Sequence, residues 1–379
     1  MSAALTVVDL FAGVGGMSLG FLDARLGEHR FELRLLVDID RSAAYTFKKN
    51  YPNVAYWVTN LETTTPIKIM ERARIDEGDL DFLIGGPPCQ GLSTNGKRFL
   101  EDSRNTLLST MIAAARAMRP RCVIIENVPG AIGIWERLFS TEIPDLFPGY
   151  RAIYAVLNAS SFGVPQMRRR AFVVAIRNDV GDSPLSMPEG QFDSIEVGHL
   201  LHDEIGRRPN YVSVEDAISD LPPLQPGEAI DGEPYTGPPH TDYQSARRMG
   251  SVALFNHVAR SHSEKSVGKL SIIAPGLGNS DLPDEQRFSD NYYSQAYARL
   301  HPSGIGFTIT AHFRNPGSGR FTHYRDRRSI TVREAARLQS FDDRFIFHGF
   351  DRDQERHVGN AVPPLLAKAL AEHFGRALC

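Results

Sequence analysis

Over the first 177 residues, short apolar runs alternate with stretches of helical spacing, and that alternation leaves few folds open. Leu5-Thr6-Val7-Val8-Asp9-Leu10-Phe11 reads as a strand, followed by Gly13, Gly15 and Gly16 and a helical pattern over about 17–26. A second strand over 31–37 ends at Asp38, and a third covers 54–58. Thr65 and Pro66 read as the N-cap and first position of a helix reaching about residue 75. Leu80-Asp81-Phe82-Leu83-Ile84 is the fourth strand, 105–118 is apolar at helical spacing, and Cys122-Val123-Ile124-Ile125 is a fifth strand that delivers Glu126 at its carboxyl end. Two more strands, 150–157 and 171–176, flank the piece from Gln166 to Arg170. The expectation is an α/β chain with a Rossmann-like, doubly wound, mostly parallel sheet. The spacing from the glycines to Asp38 matches the ribose-binding acid of nucleotide folds. The third glycine of a dinucleotide fingerprint falls at Ser18, which disfavours a dinucleotide oxidoreductase, since a pyrophosphate needs that cradle.

After Arg177 the texture changes. From about 178 to 330 the chain is rich in Pro, Gly, Ser and Asp without sustained periodicity. This stretch reads as a second, smaller domain of loops and short strands, with one short helix near 213–221 and a loop over 232–241. Regular structure returns with helices over 331–340 and 363–378, so the first domain is expected to be discontinuous, 1–177 plus about 331–379. A length of 379 residues suits two domains. The cysteines, Cys89, Cys122 and Cys379, are odd in number and far apart, which excludes a disulfide framework or a cysteine-based zinc site. No run is long enough to span a membrane, and residues 1–11 lack a basic leader region, so a cytoplasmic protein is expected.

The stretch Gly85-Gly86-Pro87-Pro88-Cys89-Gln90-Gly91-Leu92-Ser93 follows the fourth strand. Glycines and prolines stop the strand and fix a tight loop at the sheet edge where open α/β sheets bind ligands. A lone cysteine is usually a small apolar filler. In this setting the loop presents the thiol, the strongest nucleophile among side chains.

Gly86-Pro87-Pro88-Cys89-Gln90 resembles the catalytic loop of the DNA cytosine-5 methyltransferases. Asp9-Leu10-Phe11-Ala12-Gly13-Val14-Gly15-Gly16, Glu126-Asn127-Val128, Gln166-Met167-Arg168-Arg169-Arg170, Arg333-Glu334-Ala335-Ala336-Arg337-Leu338-Gln339-Ser340-Phe341 and Gly359-Asn360-Ala361-Val362-Pro363-Pro364 resemble further motifs of that family, in its order. The resemblance runs from residue 9 to 364 and implies a specific chemistry. Cys89 adds to C6 of a cytosine, making C5 nucleophilic, and Glu126 donates to N3. Of Arg168 and Arg170, one holds Glu126 and the other the O2 edge or a phosphate. The cofactor is S-adenosyl-L-methionine, leaving as S-adenosyl-L-homocysteine, with no metal. Phe11 stacks on the adenine, Gly13, Gly15 and Gly16 pass the methionine part, Asp38 takes the ribose hydroxyls and Ile39 lies against the adenine. Asn60 stands where family members often carry Asp, and Leu107, Asn360 and Val362 complete the pocket. The partner is double-stranded DNA, and Gln90, Ser93, Thr94 and Lys97 close over a base extruded from the stack. A cognate restriction endonuclease fits the compact chain without implying contact, and a monomer, nucleoid-associated when on DNA, is expected.

The net charge of −3 points to no polyanion, so a DNA site must come from local clustering. Arg314, Arg320, Arg325, Arg327, Arg328, Arg333 and Arg337 face only two acids over their own stretch, Asp326 and Glu334. Arg314, Arg325, Arg327 and Arg328 are the expected DNA contacts, with the last three mainly on phosphates. Two alternatives carry the same fold. A tRNA cytosine-5 methyltransferase would show a Cys-Phe-Thr signature in the variable region, where this chain has no cysteine. A non-catalytic homologue would lose at least one of Cys89, Glu126 and Arg170, and all three are present.

Overall fold

The computed structural model describes residues 4–88, 106–131, 147–181, 185–192, 210–288 and 295–379. The chain divides into two compact units, one of residues 1–158, 169–189 and 364–379, the other of 159–168 and 190–363.

Among the described residues, the first unit holds one seven-stranded sheet in the order β3-β2-β1-β4-β5-β7-β6. Its strands are β1 Leu5–Leu10, β2 Phe31–Asp38, β3 Tyr56–Val58, β4 Phe82–Gly85, β5 Cys122–Asn127, β6 Tyr150–Asn158 and β7 Arg169–Arg177. The first five are parallel; β7 runs antiparallel to β5, and β6 antiparallel to β7. The helices are α1 Gly16–Asp23, α2 Arg41–Asn50, α3 Pro66–Ala73 and α4 Thr106–Met118. Val8, Leu10, Leu83, Val123, Ile125 and Val173 present one face of the sheet to Ile69 of α3 and Met111, Ala115 and Met118 of α4, all buried. On the other face Phe21, Phe31 and Phe82 meet edge to face, with centroids 5.3–5.6 Å apart. Strand order reverses between β1 and β4, and the crevice outside the carboxyl ends of such a pair is where open α/β sheets hold ligands. These two strands approach so closely that a Cβ on Gly85 would lie 2.5 Å from the Leu10 carbonyl oxygen.

The chain's last helix, Pro364–Leu378, closes the unit against α1. A Cβ on Gly20 would lie 2.5 Å from both the Ala367 Cβ and the Pro364 carbonyl oxygen. The return to the first unit therefore falls at Pro364, later than the sequence texture places it.

The second unit contains the helices α5 Val214–Ile218, α6 Asp242–Arg248, α7 Glu264–Ile272, α8 Val332–Leu338 and α9 Asp351–Asn360; the last helix of the first unit is α10 in this numbering. A two-stranded ribbon pairs β8 Ala229–Ile230 with β9 His257–Val258. Reciprocal caps start α5 (Ser213 with Asp216) and α8 (Thr331 with Glu334). The interior around α8 is ionic. Arg328 is fully buried and bonds Glu334 at 2.8 Å and Asp326 at 2.7 Å. Arg337, also fully buried, bonds Asp343 at 2.6 Å and Asp220 at 3.1 Å. Arg333 donates to the carbonyls of Phe255 and Phe345, both at 2.9 Å. These pairs hold 331–338 within the second unit, and with it residues through 363.

Candidate active site

The site in the first unit is built at the carboxyl ends of β1, β2, β4 and β5. The chain leaves β1 through Phe11, whose φ of 60° is left-handed, and turns at Gly13 and Gly15 with φ of 52° and 83°. Gly15 is required twice over: its backbone is left-handed, and a Cβ there would lie 2.6 Å from the Phe47 ring. Gly13 is held at both its N–H and its carbonyl. Its N–H donates to Asp38 Oδ2 at 2.8 Å, and its carbonyl accepts the Tyr56 hydroxyl at 2.7 Å. Asp38 Oδ1 accepts the Asp40 N–H at 2.8 Å, and Asp40 in turn caps α2 through Ser42 and Ala43. Ser18 donates to the buried carboxylate of Asp9 at 2.6 Å. Burial lifts the Asp9 carboxyl to about 7, and the charge of Asp38 adds to the rise.

Phe11, Gly13, Gly15, Gly16, Asp38, Ile39 and Asn60 all follow or end β1, β2 and β3, so the fold gathers these expected cofactor residues on one sheet edge. Ile39 is 67% exposed, an apolar side chain that β2 leaves uncovered. Asn60 Oδ1 accepts the Glu62 N–H at 3.0 Å in its own turn. Leu107, half-buried, stands in the first turn of α4. Asn360 and Val362 belong to the second unit. The donor set suits a nucleoside cofactor: Asp38 keeps lone pairs beyond the two N–H groups it accepts, and Ile39 offers an apolar surface beside it.

Glu126 sits one residue beyond the paired part of β4 and β5, so it stands beside the start of the loop that leads to Cys89. A Cβ on Gly86 would come within 3.0 Å of Glu126 Oε2, so the chain passes close to the carboxylate here. Asn127 Nδ2 donates to the Pro87 carbonyl at 3.2 Å. Across the antiparallel β5–β7 pair, Glu126 faces Phe172, and Arg170 is its diagonal neighbour. Arg170 Nε lies 2.9 Å from Glu126 Oε1, both side chains largely buried. Burial draws the Arg170 guanidinium below its usual range, and Glu126 opposes that shift. Cys89, Gln90, Ser93, Thr94 and Lys97 lie outside the described residues.

The two arginines of the Gln166–Arg170 piece expected in catalysis, Arg168 and Arg170, part company. Arg168 belongs to the second unit, is 1% exposed, and donates to the carbonyls of Ile309 at 3.0 Å and Gly359 at 2.9 Å. Its Nη1 and Nη2 thus bond backbone oxygens of its own unit. Two of the expected DNA contacts are buried and paired, which corrects their expected place on a phosphate surface. Arg328 is enclosed by Asp326 and Glu334, and Arg314 is 3% exposed and paired with Asp351 at 2.8 Å. Arg325 and Arg327 are exposed. Sequence reasoning passed over Tyr56 and Asp9's bond to Ser18. The only signal for the second was a polar residue where a dinucleotide fingerprint has glycine.

Among the described residues, no helix is long and apolar enough to cross a membrane. A family model described as C-5 cytosine-specific DNA methylase matches residues 5–376. The type II methyltransferase M.DdeI of Desulfomicrobium norvegicum is 32% identical over 98% of this chain and 88% of its own length. The type II methyltransferase M1.HphI of Haemophilus parahaemolyticus is 33% identical over 97% of this chain and 86% of its own. A solved E. coli protein, described as a candidate DNA modification methyltransferase encoded within a prophage, superposes with a TM-score of 0.72 at 25% identity, covering 99% of both chains. With the strand order, the glycine turn and the acid–arginine pair beside the Pro-Pro-Cys loop, these matches establish that the chain belongs to the C-5 cytosine-specific DNA methylase family and is a DNA cytosine-5 methyltransferase.

Proposed function

We propose that this enzyme methylates C5 of a cytosine within a specific double-stranded DNA sequence, on a base extruded from the duplex, through covalent addition of Cys89 at C6. The observation that carries this reading is the Arg170–Glu126 pair packed beside Gly86, three residues before Cys89 in the chain. The Cys89 thiolate donates its electron pair to C6, and negative charge spreads onto N3 and O2 of the ring. Glu126, oriented by Arg170, donates a proton or strong hydrogen bond at N3, which stabilises that charge. S-adenosyl-L-methionine, when bound, supplies a methyl on a positively charged sulfur. Phe11, the glycine turn, Asp38, Ile39, Asn60 and Leu107 hold it. Loss of the C5 proton to a base, water sufficing, then returns electrons to the ring and expels the thiolate. Base extrusion costs a few kcal/mol, which Gln90, Ser93, Thr94 and Lys97 offset by closing over the nucleotide.

The stretch of about 178–330, most of it in the second unit, selects the target sequence, with Arg325 and Arg327 on the DNA. Relatives named as type II methyltransferases support a place in a restriction–modification system, alongside a nuclease of the same specificity. The enzyme then works as a monomer in the cytoplasm, at the nucleoid. Two experiments test the reading. Methylation-sensitive sequencing of DNA from cells expressing the chain should reveal 5-methylcytosine at one short sequence; modified tRNA with unmodified DNA would overturn it. A duplex carrying 5-fluorocytosine at that position should trap an adduct on Cys89, because fluorine does not leave as a proton does. Capture on Cys122, which is fully buried, or on Cys379 would overturn the covalent step.

A further inference from the structure

The polar bond that fixes the glycine turn comes from a residue outside every family motif in the sequence. Tyr56 opens β3, and its ring lies 5.8 Å from Phe47 of α2, which itself stacks on Tyr51 at 5.2 Å. Phe47 fills the space beneath Gly15, and the Tyr56 hydroxyl reaches the Gly13 carbonyl at 2.7 Å. Gly13 has a left-handed φ of 52° and nothing within 4 Å of where its Cβ would stand. Two hydrogen bonds hold the two peptide planes that meet at it: Asp38 on its N–H and Tyr56 on its carbonyl. Asp38 is also the residue expected to take ribose hydroxyls, so the orientation of its carboxylate and that of the Gly13 peptide are tied together.

We infer that Tyr56 is a positioning residue for the cofactor site: by holding the Gly13 carbonyl it fixes the turn, and through Gly13 the Asp38 carboxylate, in the geometry that receives S-adenosyl-L-methionine. The inference rests on the cofactor reading given above. Burial and the neighbouring charges of Asp38, Asp9 and Asp40 push the phenol upward, so it remains a donor throughout the working pH range. Freed of this bond, the Gly13 carbonyl rotates or is left without a partner, and part of the cofactor's binding free energy goes into ordering the turn.

The test is Tyr56→Phe, which removes one oxygen and keeps the ring. The control is Tyr150→Phe, which removes an equivalent hydroxyl–carbonyl bond, Tyr150 to Pro120 at 2.6 Å, on the strand at the opposite edge of the same sheet. Calorimetric titration with S-adenosyl-L-methionine should show about tenfold weaker binding for Tyr56→Phe and unchanged binding for Tyr150→Phe. DNA affinity and kcat at saturating cofactor should be unchanged in both, with the defect of Tyr56→Phe confined to the cofactor KM. Both variants should lose similar Tm, which separates positioning from general stability. If the wild type binds cofactor and Tyr56→Phe binds it equally well, the inference fails alone. Equal weakening by Tyr150→Phe also overturns it, because the effect is then global. If the wild type binds no S-adenosyl-L-methionine, the cofactor reading itself falls.

Discussion

Asp9→Asn tests the electrostatics of the glycine turn. Asp9 is 1% exposed near the end of β1, held by the Ser18 hydroxyl and the Ser18 backbone, and burial raises its carboxyl from 3.8 to about 7. A carboxyl raised on folding binds its proton more tightly in the native state. Its penalty is therefore absent below about pH 4, grows as pH rises towards about 7, and is constant above. Each pH unit within that window costs about 1.4 kcal/mol, so from pH 5 to pH 8 Asp9 should remove about 2–3 kcal/mol of stability. Asparagine does not titrate, and its carbonyl can still accept from Ser18. The measurement is urea unfolding at both pH values, followed by the fluorescence of Trp57 on β3 of the same unit. Comparing the variant's change with the wild type's cancels every other titrating group. The variant should lose about 2–3 kcal/mol less than the wild type over that interval. Equal losses would mean that Asp9 stays ionised in the native protein, and the account of its burial would be wrong.

Two further outcomes follow from the site and from the second unit. Glu126→Gln should lower kcat by about 10²–10⁴-fold, with cofactor binding intact, as expected when a general acid is removed; near-normal turnover in a single-turnover assay would remove Glu126 from the chemistry. Arg327→Ala should reduce the salt slope of DNA binding by about one unit without loss of Tm. Arg328→Ala should instead cost about 3–5 kcal/mol by leaving Asp326 and Glu334 buried without their cation. The reverse pattern, with Arg328 tuning the salt slope, would place the DNA surface elsewhere.

Much of the first unit was legible because its period is strong. The runs ending at Leu10, Asp38, Gly85 and Asn127 are apolar enough to name as strands, and each ends at the sheet edge that carries the site. Strand direction was not legible. Nothing in 150–157 or 171–176 distinguishes a parallel pair from the antiparallel β6–β7 hairpin that lets Arg170 reach diagonally to Glu126. Helix α9 was missed because Asp351–Asn360 is polar almost throughout; its buried side is made by Glu355, His357, Val358 and Gly359. Helices α6 and α7 were missed for shortness and for serine-rich, weakly periodic sequence, although Thr241 and Ser263 cap them as that residue type should.

The arginines show why local charge counting failed. Over 314–337 the sequence offers two acids to seven arginines, and that imbalance suggests a surface for phosphate. The missing acids lie outside that stretch: Asp220 and Asp343 for Arg337, Asp351 for Arg314. A count within a window cannot register them, because a buried guanidinium demands a partner in space and has no need of one in sequence. Burial alternates from 325 to 328, with Arg325 and Arg327 out and Asp326 and Arg328 in, around a bend closed by the bond from the His323 N–H to the Arg328 carbonyl at 2.9 Å. Arg328 thus shares a side with Asp326, which it bonds at 2.7 Å, while Arg325 and Arg327 are turned outward. Of the four arginines expected on DNA, the same alternation that buries one leaves these two available to a phosphate backbone.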